Sequence, residues 1–287
     1  MSLLSEFKQS LKTVDSEEIL DLYIFRPISF LFVKLIYNTN ITPNQISSVA
    51  LIFGISSGVF YGFGSYNFLL LGSLCFFICN TLDCMDGQLA RLKKNGTKIG
   101  RVVDGFIDYL TSISVFLGLG SAMTLITGDA TYSWPVTIAA GISKALQNMF
   151  FDHYRNTYLE YVYKKASGLD DEIAEYSHEK ERLEKTVGNR LEKFLISLYL
   201  SYCITQKNFT EHIELNVTPD VYKSKNKLLL RLWSWLGSTT HMVALIIFSI
   251  FNRVDLYLIF TVTIGNLIFI ILLIRQKQII KQLSKSK

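Results

Sequence analysis

Residues 83–108 read Asp83-Cys84-Met85-Asp86-Gly87-Gln88-Leu89-Ala90-Arg91, then Leu92-Lys93-Lys94-Asn95-Gly96-Thr97-Lys98-Ile99, then Gly100-Arg101-Val102-Val103-Asp104-Gly105-Phe106-Ile107-Asp108. Apolar runs flank this stretch on both sides, so four carboxylates and an arginine are set into sequence otherwise fit for a membrane. Asp83 and Asp86 are three apart and Asp104 and Asp108 four apart, so on helices each pair shares one face. An ionised residue at a bilayer centre costs roughly 2.5–3.5 kcal/mol on insertion scales. The cluster therefore has to line a polar cavity and meet compensating charge. A metal ion is one source of that charge. The other is a salt-bridged structural cluster using Arg91, Lys93, Lys94, Lys98 and Arg101, but these cations stand mostly at helix ends.

Composition agrees with a membrane protein. Of 287 residues, 49% are hydrophobic and only 18% charged. The net charge of +5 gathers near span boundaries rather than in a stripe fit for nucleic acid, so no nucleic-acid partner is expected. Cys75, Cys79, Cys84 and Cys203 have neither zinc spacing nor a disulfide framework and read as core thiols.

The expected architecture is an all-α integral membrane protein with six transmembrane helices, an N-terminal amphipathic interfacial helix and a cytoplasmic helical insert. Residues 1–43 form the N-terminal segment, in which the mix of charged and apolar residues over the first 25 reads as an amphipathic or surface segment, with a lead helix near 17–38 lying along the interface. Residues 44–163 hold the first four spans, near 44–63, 68–93, 98–127 and 135–163. Thr42-Pro43-Asn44 opens the first, where the missing N–H of Pro43 does no harm, and Asn95-Gly96 breaks the chain between the second and third. Residues 164–228 form the insert, amphipathic and helical near 170–200 and loop-like from Thr205 to Lys227. The wider stretch 152–232 carries thirteen Lys/Arg and thirteen Asp/Glu. The last two spans fall within 229–275, and 276–287 is a basic tail. The turns at 62–67 and 128–134 have no Lys or Arg, whereas the motif loop, insert and tail hold nearly all of them. That bias puts both termini and the carboxylate cluster on the cytoplasmic side.

Position by position, the 83–108 stretch resembles the signature of the CDP-alcohol phosphotransferases, D-x-x-D-G-x-x-A-R, a spacer, then G-x-x-x-D-x-x-x-D. The matching residues are Asp83, Asp86, Gly87, Ala90, Arg91, Gly100, Asp104 and Asp108. Thr42-Pro43-Asn44 resembles a segment that the family carries before its first span. The resemblance implies two divalent cations, Mg²⁺ or Mn²⁺, held by Asp83, Asp86, Asp104 and Asp108, with Asp108 also taking the acceptor's proton. It implies a CDP site at Asn44, Gly87, Ala90, Arg91 and Gly100, and a homodimer. The residue types suit the chemistry. Hard oxygen ligands bind hard cations, a guanidinium fork matches a pyrophosphate, and small residues let a nucleotide approach the backbone.

The fourth span carries Lys144, Gln147, Asn148, Asp152 and Arg155 on one face. Lys144, Asp152 and Arg155 are candidates for binding the acceptor; equally, Lys144 could neutralise the aspartates. His153 and His241 are possible proton carriers or hydrogen-bonded packing residues.

Two donor modes share the motif. One takes CDP-diacylglycerol and a small polar acceptor such as inositol phosphate. The other takes CDP-choline or CDP-ethanolamine and a lipid hydroxyl. The second branch typically has a His-Gly pair after the third aspartate, where this chain has Gly105-Phe106. Arg26-Pro27, the wording of residues 83–91 and Asp152-His153-Tyr154-Arg155-Asn156 are similar to bacterial phosphatidylinositol-phosphate synthases. The first mode is therefore the main expectation and the second its alternative. A divalent-cation transporter would spread its acids through the membrane depth, and a non-catalytic scaffold would not need all four aspartates.

Overall fold

The computed structural model describes residues 3–164, 168–185, 188–209 and 217–285, and these are helical with no strand among them. Helix α1 (Leu3–Ser10) leads through an irregular segment into a π-helical turn (Asp21–Phe25) continuous with α2 (Arg26–Ile36). Helix α3 (Pro43–Gly62) starts at a capping box. Gln45 N donates to Thr42 Oγ1 at 3.3 Å, and Thr42 N donates to Gln45 Oε1 at 3.0 Å. Two orphan N–H groups are satisfied at once, with Pro43 pre-set for the first turn.

Helix α4 (Tyr66–Lys93) ends at Lys94 in the left-handed conformation, φ 52°. Helix α5 (Lys98–Thr127) begins at Thr97, whose hydroxyl accepts from Gly100 N at 2.9 Å. The motif loop is thus one sharp turn, which sets the C-terminal end of α4 beside the N-terminal end of α5. Gly128, φ 71°, closes α5, and Asp129 caps α6 (Ala130–Tyr158) by accepting from Thr131 N and Tyr132 N.

Small residues bring α3 and α5 almost into backbone contact. A Cβ at Gly54 would overlap Thr111, one at Gly58 would overlap Ser114, and one at Gly118 would overlap the carbonyl oxygen of Gly58. This stripe, legible in the sequence as a helix contact within a protomer or between two, is spent inside the protomer. Above it, Tyr61, Leu69, Leu119, Met123, Leu245 and Tyr257 form a shared core of α3, α4, α5 and the C-terminal helices. Between membrane-crossing helices such a core is held by close packing and interhelical hydrogen bonds rather than by removal of apolar surface from water.

Four helices are long and apolar enough to cross a membrane: Pro43–Gly62, Tyr66–Lys93, Ile99–Thr127 and Val254–Ser284. The expected fourth span forms as α6, but its polar stripe leaves it short of that apolarity. The expected fifth is broken. Helix α9 (Pro219–Trp233) and α10 (Ser238–Ile250) meet at a 41° bend around Gly237, and together they pass the same test as a bent pair. The last span and tail are one rod. Helix α11 (Val254–Phe260) continues through a π-helical turn (Thr261–Gly265) into α12 (Asn266–Lys285).

Two further expectations change. The insert is a hairpin, α7 (Leu169–Glu184) and α8 (Arg190–Phe209), turned at Gly188 and Asn189, both with positive φ. Val187, read as part of one continuous helix, lies outside the described residues. Most of the stretch read as loop is helical, because α8 runs to Phe209 and α9 starts at Pro219. Tyr176, Leu183, Leu195 and Ile196 pack this hairpin against Val102 of α5. Of the two readings of the N-terminal segment the amphipathic one fits, since Ser10, Leu11, Ser16, Glu17, Glu18 and Asp21 are buried while Leu3, Leu4, Val14 and Tyr23 are exposed.

Candidate active site

Helices α4 and α5 present their carboxylates to each other at the motif end of the bundle. Oxygen atoms of Asp83, Asp86 and Asp104 lie within 4.8 Å of one another. Three carboxylates so close repel strongly in a protein interior, and only oxygen donors are present. The set fits a hard divalent cation of the Mg²⁺ or Mn²⁺ kind better than zinc or copper. Asp108, one turn beyond Asp104, lies outside that trio and is the most open of the four, whereas Asp86 is buried. Asp83 feels Asp108, Asp104 and Asp86 as its like-charged neighbours. The countercharge acting on Asp108 is Lys144.

Lys144 is buried in α6 and donates to Ser112 Oγ at 2.9 Å. One turn further, Gln147 is locked into packing. Its Oε1 accepts from His241 Nε2 at 2.8 Å, and its Nε2 donates to Asn266 Oδ1 at 2.9 Å. His241 is thereby a hydrogen-bonded core residue, fully inside the bundle. Asp152 and Arg155 pair with each other at 2.5 Å along α6.

The nucleotide candidates gather at the same end. Asn44, in the first turn of α3, lies against Gly100, where a Cβ would come 3.4 Å from Asn44 Oδ1 and 2.9 Å from Thr97 Oγ1. At Gly87 a Cβ would come 3.2 Å from Arg91 Nη2. Gly87 is therefore small in order to seat the Arg91 fork, a reason distinct from nucleotide volume. Ala90 lies next to the turn, its Cβ 3.8 Å from where a Cβ on Gly96 would stand.

This constellation of carboxylates and small residues occurs where the family comparison also falls. Residues 40–164 match the family model described as CDP-alcohol phosphatidyltransferase. The chain is also 34% identical over 108 residues to the ceramide phosphoethanolamine synthase of Drosophila melanogaster, an alignment covering 34% of this chain and 27% of the fly protein. It spans about a quarter of the length of that relative.

Several residues around the 83–108 motif carry no signal in the sequence that marks them as site residues. Ser47 of α3 donates to Asp86 Oδ2 at 2.5 Å. Arg26 donates to the Cys84 carbonyl oxygen at 3.2 Å and pairs with Glu17 at 3.0 Å. Gln88 donates to Ser10 Oγ at 3.2 Å and to the Arg26 carbonyl oxygen at 3.1 Å. Arg91 Nε donates to the Ser10 carbonyl oxygen. The N-terminal segment is thus bolted onto the motif helix. Arg26-Pro27 hinted at this, but nothing periodic marks residues 10–18.

That segment carries its own charges. Burial pushes the Glu17 carboxyl up, but Arg26 and Lys12 outweigh it and hold it below the usual range. Burial and the neighbouring Asp21 push Glu18 well above it. Glu18 accepts from Thr239 N at 3.1 Å, capping the first turn of α10 across the Gly237 bend.

Proposed function

We propose that the protein transfers a substituted phosphate from a CDP-linked alcohol to a lipid hydroxyl, releasing CMP, as a step in making a phospholipid or sphingolipid head group. The observation that carries the reading is the Asp83–Asp86–Asp104 oxygen cluster within the matched domain. The ceramide phosphoethanolamine synthase likeness supports an aminoalcohol donor such as CDP-ethanolamine. This was the alternative in the sequence reading, and it is now favoured over CDP-diacylglycerol with inositol phosphate.

Asp83, Asp86 and Asp104 would hold one Mg²⁺ or Mn²⁺, and Asp108 would complete the second site. Such ions supply charge neutralisation of the diphosphate and of the developing charge on both bridging oxygens. The chain's own residues divide the remaining work. Arg91 offers its fork to the diphosphate. Asp108, open and countered by Lys144, accepts the proton of the acceptor hydroxyl as that oxygen bonds to phosphorus and the bond to CMP breaks. A positioned general base of this kind is worth roughly 10²–10⁴-fold. The positive-inside bias of the loops supports a cytoplasmic site, where CDP-linked substrates are made. The gathering of all four acids at one end of the helices argues against a transport path.

The test is CMP release by purified protein in Mg²⁺ or Mn²⁺. CDP-ethanolamine or CDP-choline is paired with diacylglycerol or ceramide, and CDP-diacylglycerol with inositol phosphate, inositol, serine or glycerol phosphate. Turnover with an aminoalcohol donor, lost in Asp108→Asn, is expected. Turnover restricted to CDP-diacylglycerol would reverse the donor assignment, and no CMP from any pairing would overturn the reading.

A further inference from the structure

The insert hairpin has two unlike helices. Helix α7 is polar along its length, with Asp171, Glu175, Glu181 and Glu184 exposed. Helix α8 has thirteen residues in a row, Phe194 to Gln206, without a charge. On the outward side of that run Phe194, Leu198, Ser201 and Thr205 are exposed. With exposed Leu191 before them and Phe209 after them, these positions recur at three- and four-residue steps and make one stripe along the helix. An uncharged run of about 10–14 residues is too short to span a bilayer and suits either a core helix or a segment lying in the interface. The opposite side of α8 is core, since Leu195, Ile196 and Leu200 are buried in the cluster shared with α7 and α5. The stripe needs the second account.

The position of α8 decides what that stripe meets. It packs beside the first turns of α5: the Phe194 ring meets Phe106 edge-on at 6.2 Å, and Tyr202 meets Tyr109 at 6.0 Å. Helix α5 has 30 residues, which at a rise of 1.5 Å each make about 45 Å. A hydrocarbon core is about 30 Å thick, so roughly ten residues of α5 are surplus. The surplus falls at the motif end, where Lys98, Arg101 and Asp104 lie, because the far end runs apolar through Leu125 and Ile126. The turns that α8 touches therefore stand at headgroup depth. Deeper along the same span Tyr109, Ile113 and Leu117, four residues apart, are exposed on one face. Since Tyr109 touches α8, the outward face of the span runs on into the α8 stripe.

We propose that α8 lies along the headgroup region of the bilayer at the motif end, with the stripe from Leu191 to Phe209 against lipid and α7 above it in water. Charge sets that orientation. The exposed acids of α7 are costly in a low-dielectric layer and repelled by anionic headgroups. On α8, Arg190 and Lys193 at the start and Lys207 at the end outnumber one acid, Glu192, and basic ends flanking an apolar face suit an interfacial helix. The insert, expected from the sequence as a cytoplasmic element, is then bound to the membrane surface. This placement does not depend on which CDP-linked donor the protein uses.

The experiment uses the full chain in nanodiscs of phosphatidylcholine and phosphatidylglycerol, in which both membrane faces meet solvent. A nitroxide is attached in turn at Leu198→Cys and Leu191→Cys on the stripe and at Ala174→Cys, an exposed position on α7. The parent protein is labelled alongside to subtract its native thiols, of which Cys79, Cys84 and Cys203 are buried. Two stripe positions are used so that one variant still decides if the other fails to fold. Collision rates are measured with oxygen, which concentrates in lipid, and with a water-soluble nickel chelate. Expected is an oxygen-to-nickel ratio several-fold higher at the stripe than at Ala174. Equal ratios at all positions would place the stripe in water and overturn the proposal. Low collision rates with both reagents at the stripe would overturn it as well, and the spectrum then names the occupant. Broadening that disappears on dilution with unlabelled chain marks a second copy, and its absence marks another protein segment.

Discussion

The Ser47 hydroxyl on α3 reaches Asp86 Oδ2 on α4 at 2.5 Å, inside a buried contact between two helices that each end at the carboxylate cluster. Asp86 is the most buried of the trio, and this bond holds its carboxylate in one orientation. Partners of this kind orient metal ligands, and their loss typically costs 10- to 100-fold in metal affinity. Ser47→Ala is expected to raise the Mg²⁺ or Mn²⁺ concentration for half-maximal CMP release by about that factor, with activity recovered in excess metal. Chelation with EDTA is expected to abolish release in both proteins. A variant whose metal titration overlays the wild type would remove Ser47 from this role.

Gly87 and Arg91 are a second linked pair. The guanidinium lies over the glycine, so the methyl of Gly87→Ala meets Nη2 and Nη1 at 3.2 and 3.3 Å. Both are tight distances, and the flexible fork gives way by a few tenths of an ångström. Arg91 also holds the Ser10 carbonyl oxygen, and displacement shifts both the anion donors and the N-terminal segment. Gly87→Ala is expected to raise the donor KM about tenfold with a smaller change in thermal stability, and Arg91→Lys to do the same, because an ammonium cannot reproduce the fork. The decisive measurement is the donor KM at saturating acceptor. A Gly87→Ala enzyme with unchanged KM would mean that the fork tolerates displacement.

The approach of α3 to α5 predicts a purely structural effect. A methyl on Gly118 overlaps the carbonyl oxygen of Gly58, a backbone atom that cannot swing aside. Overpacking of this kind costs typically about 1–3 kcal/mol. Gly118→Ala is expected to lower the unfolding midpoint in detergent, whereas Gly105→Ala, where a Cβ meets nothing within 4 Å, leaves it unchanged. Equal midpoints for the two variants would refute the close packing.

What could be read in the sequence follows from which interactions are local. The motif turn, the α3 cap and the pairing of Asp83 with Asp86 and of Asp104 with Asp108 depend on neighbours three or four residues away, and period and spacing expose them. Lys144 is visible as a misplaced charge, but its bond to Ser112 of α5 depends on how α5 and α6 pack. The dense charges of the N-terminal segment allow either an amphipathic or a surface reading. Its burial depends on Arg26, Arg91 and Arg231 meeting its backbone and acids, contacts that span from nine to more than two hundred residues and leave no periodic trace. The broken α9–α10 pair was hidden for a related reason. Gly237 permits the bend, and Glu18, far away in sequence, caps the helix that restarts there.

Glu17 makes the acid side of the stability profile diagnostic. Its carboxylate pairs with Arg26 at 3.0 Å and accepts from Lys12 N at 2.9 Å. Burial pushes the carboxyl up, but Arg26 and Lys12 outweigh it and hold it below the usual range. A carboxyl held down in the folded protein contributes stability at neutral pH that is lost as pH falls through the acid range. Removing one partner of a buried pair leaves the other unpaired, at a cost of about 3–5 kcal/mol. Glu17→Gln is therefore expected to lower the unfolding midpoint in detergent at neutral pH, and the gap to wild type is expected to close as pH falls into the acid range. A gap of constant size across that range would mean that the charge of Glu17 does not hold the N-terminal segment on the motif helix.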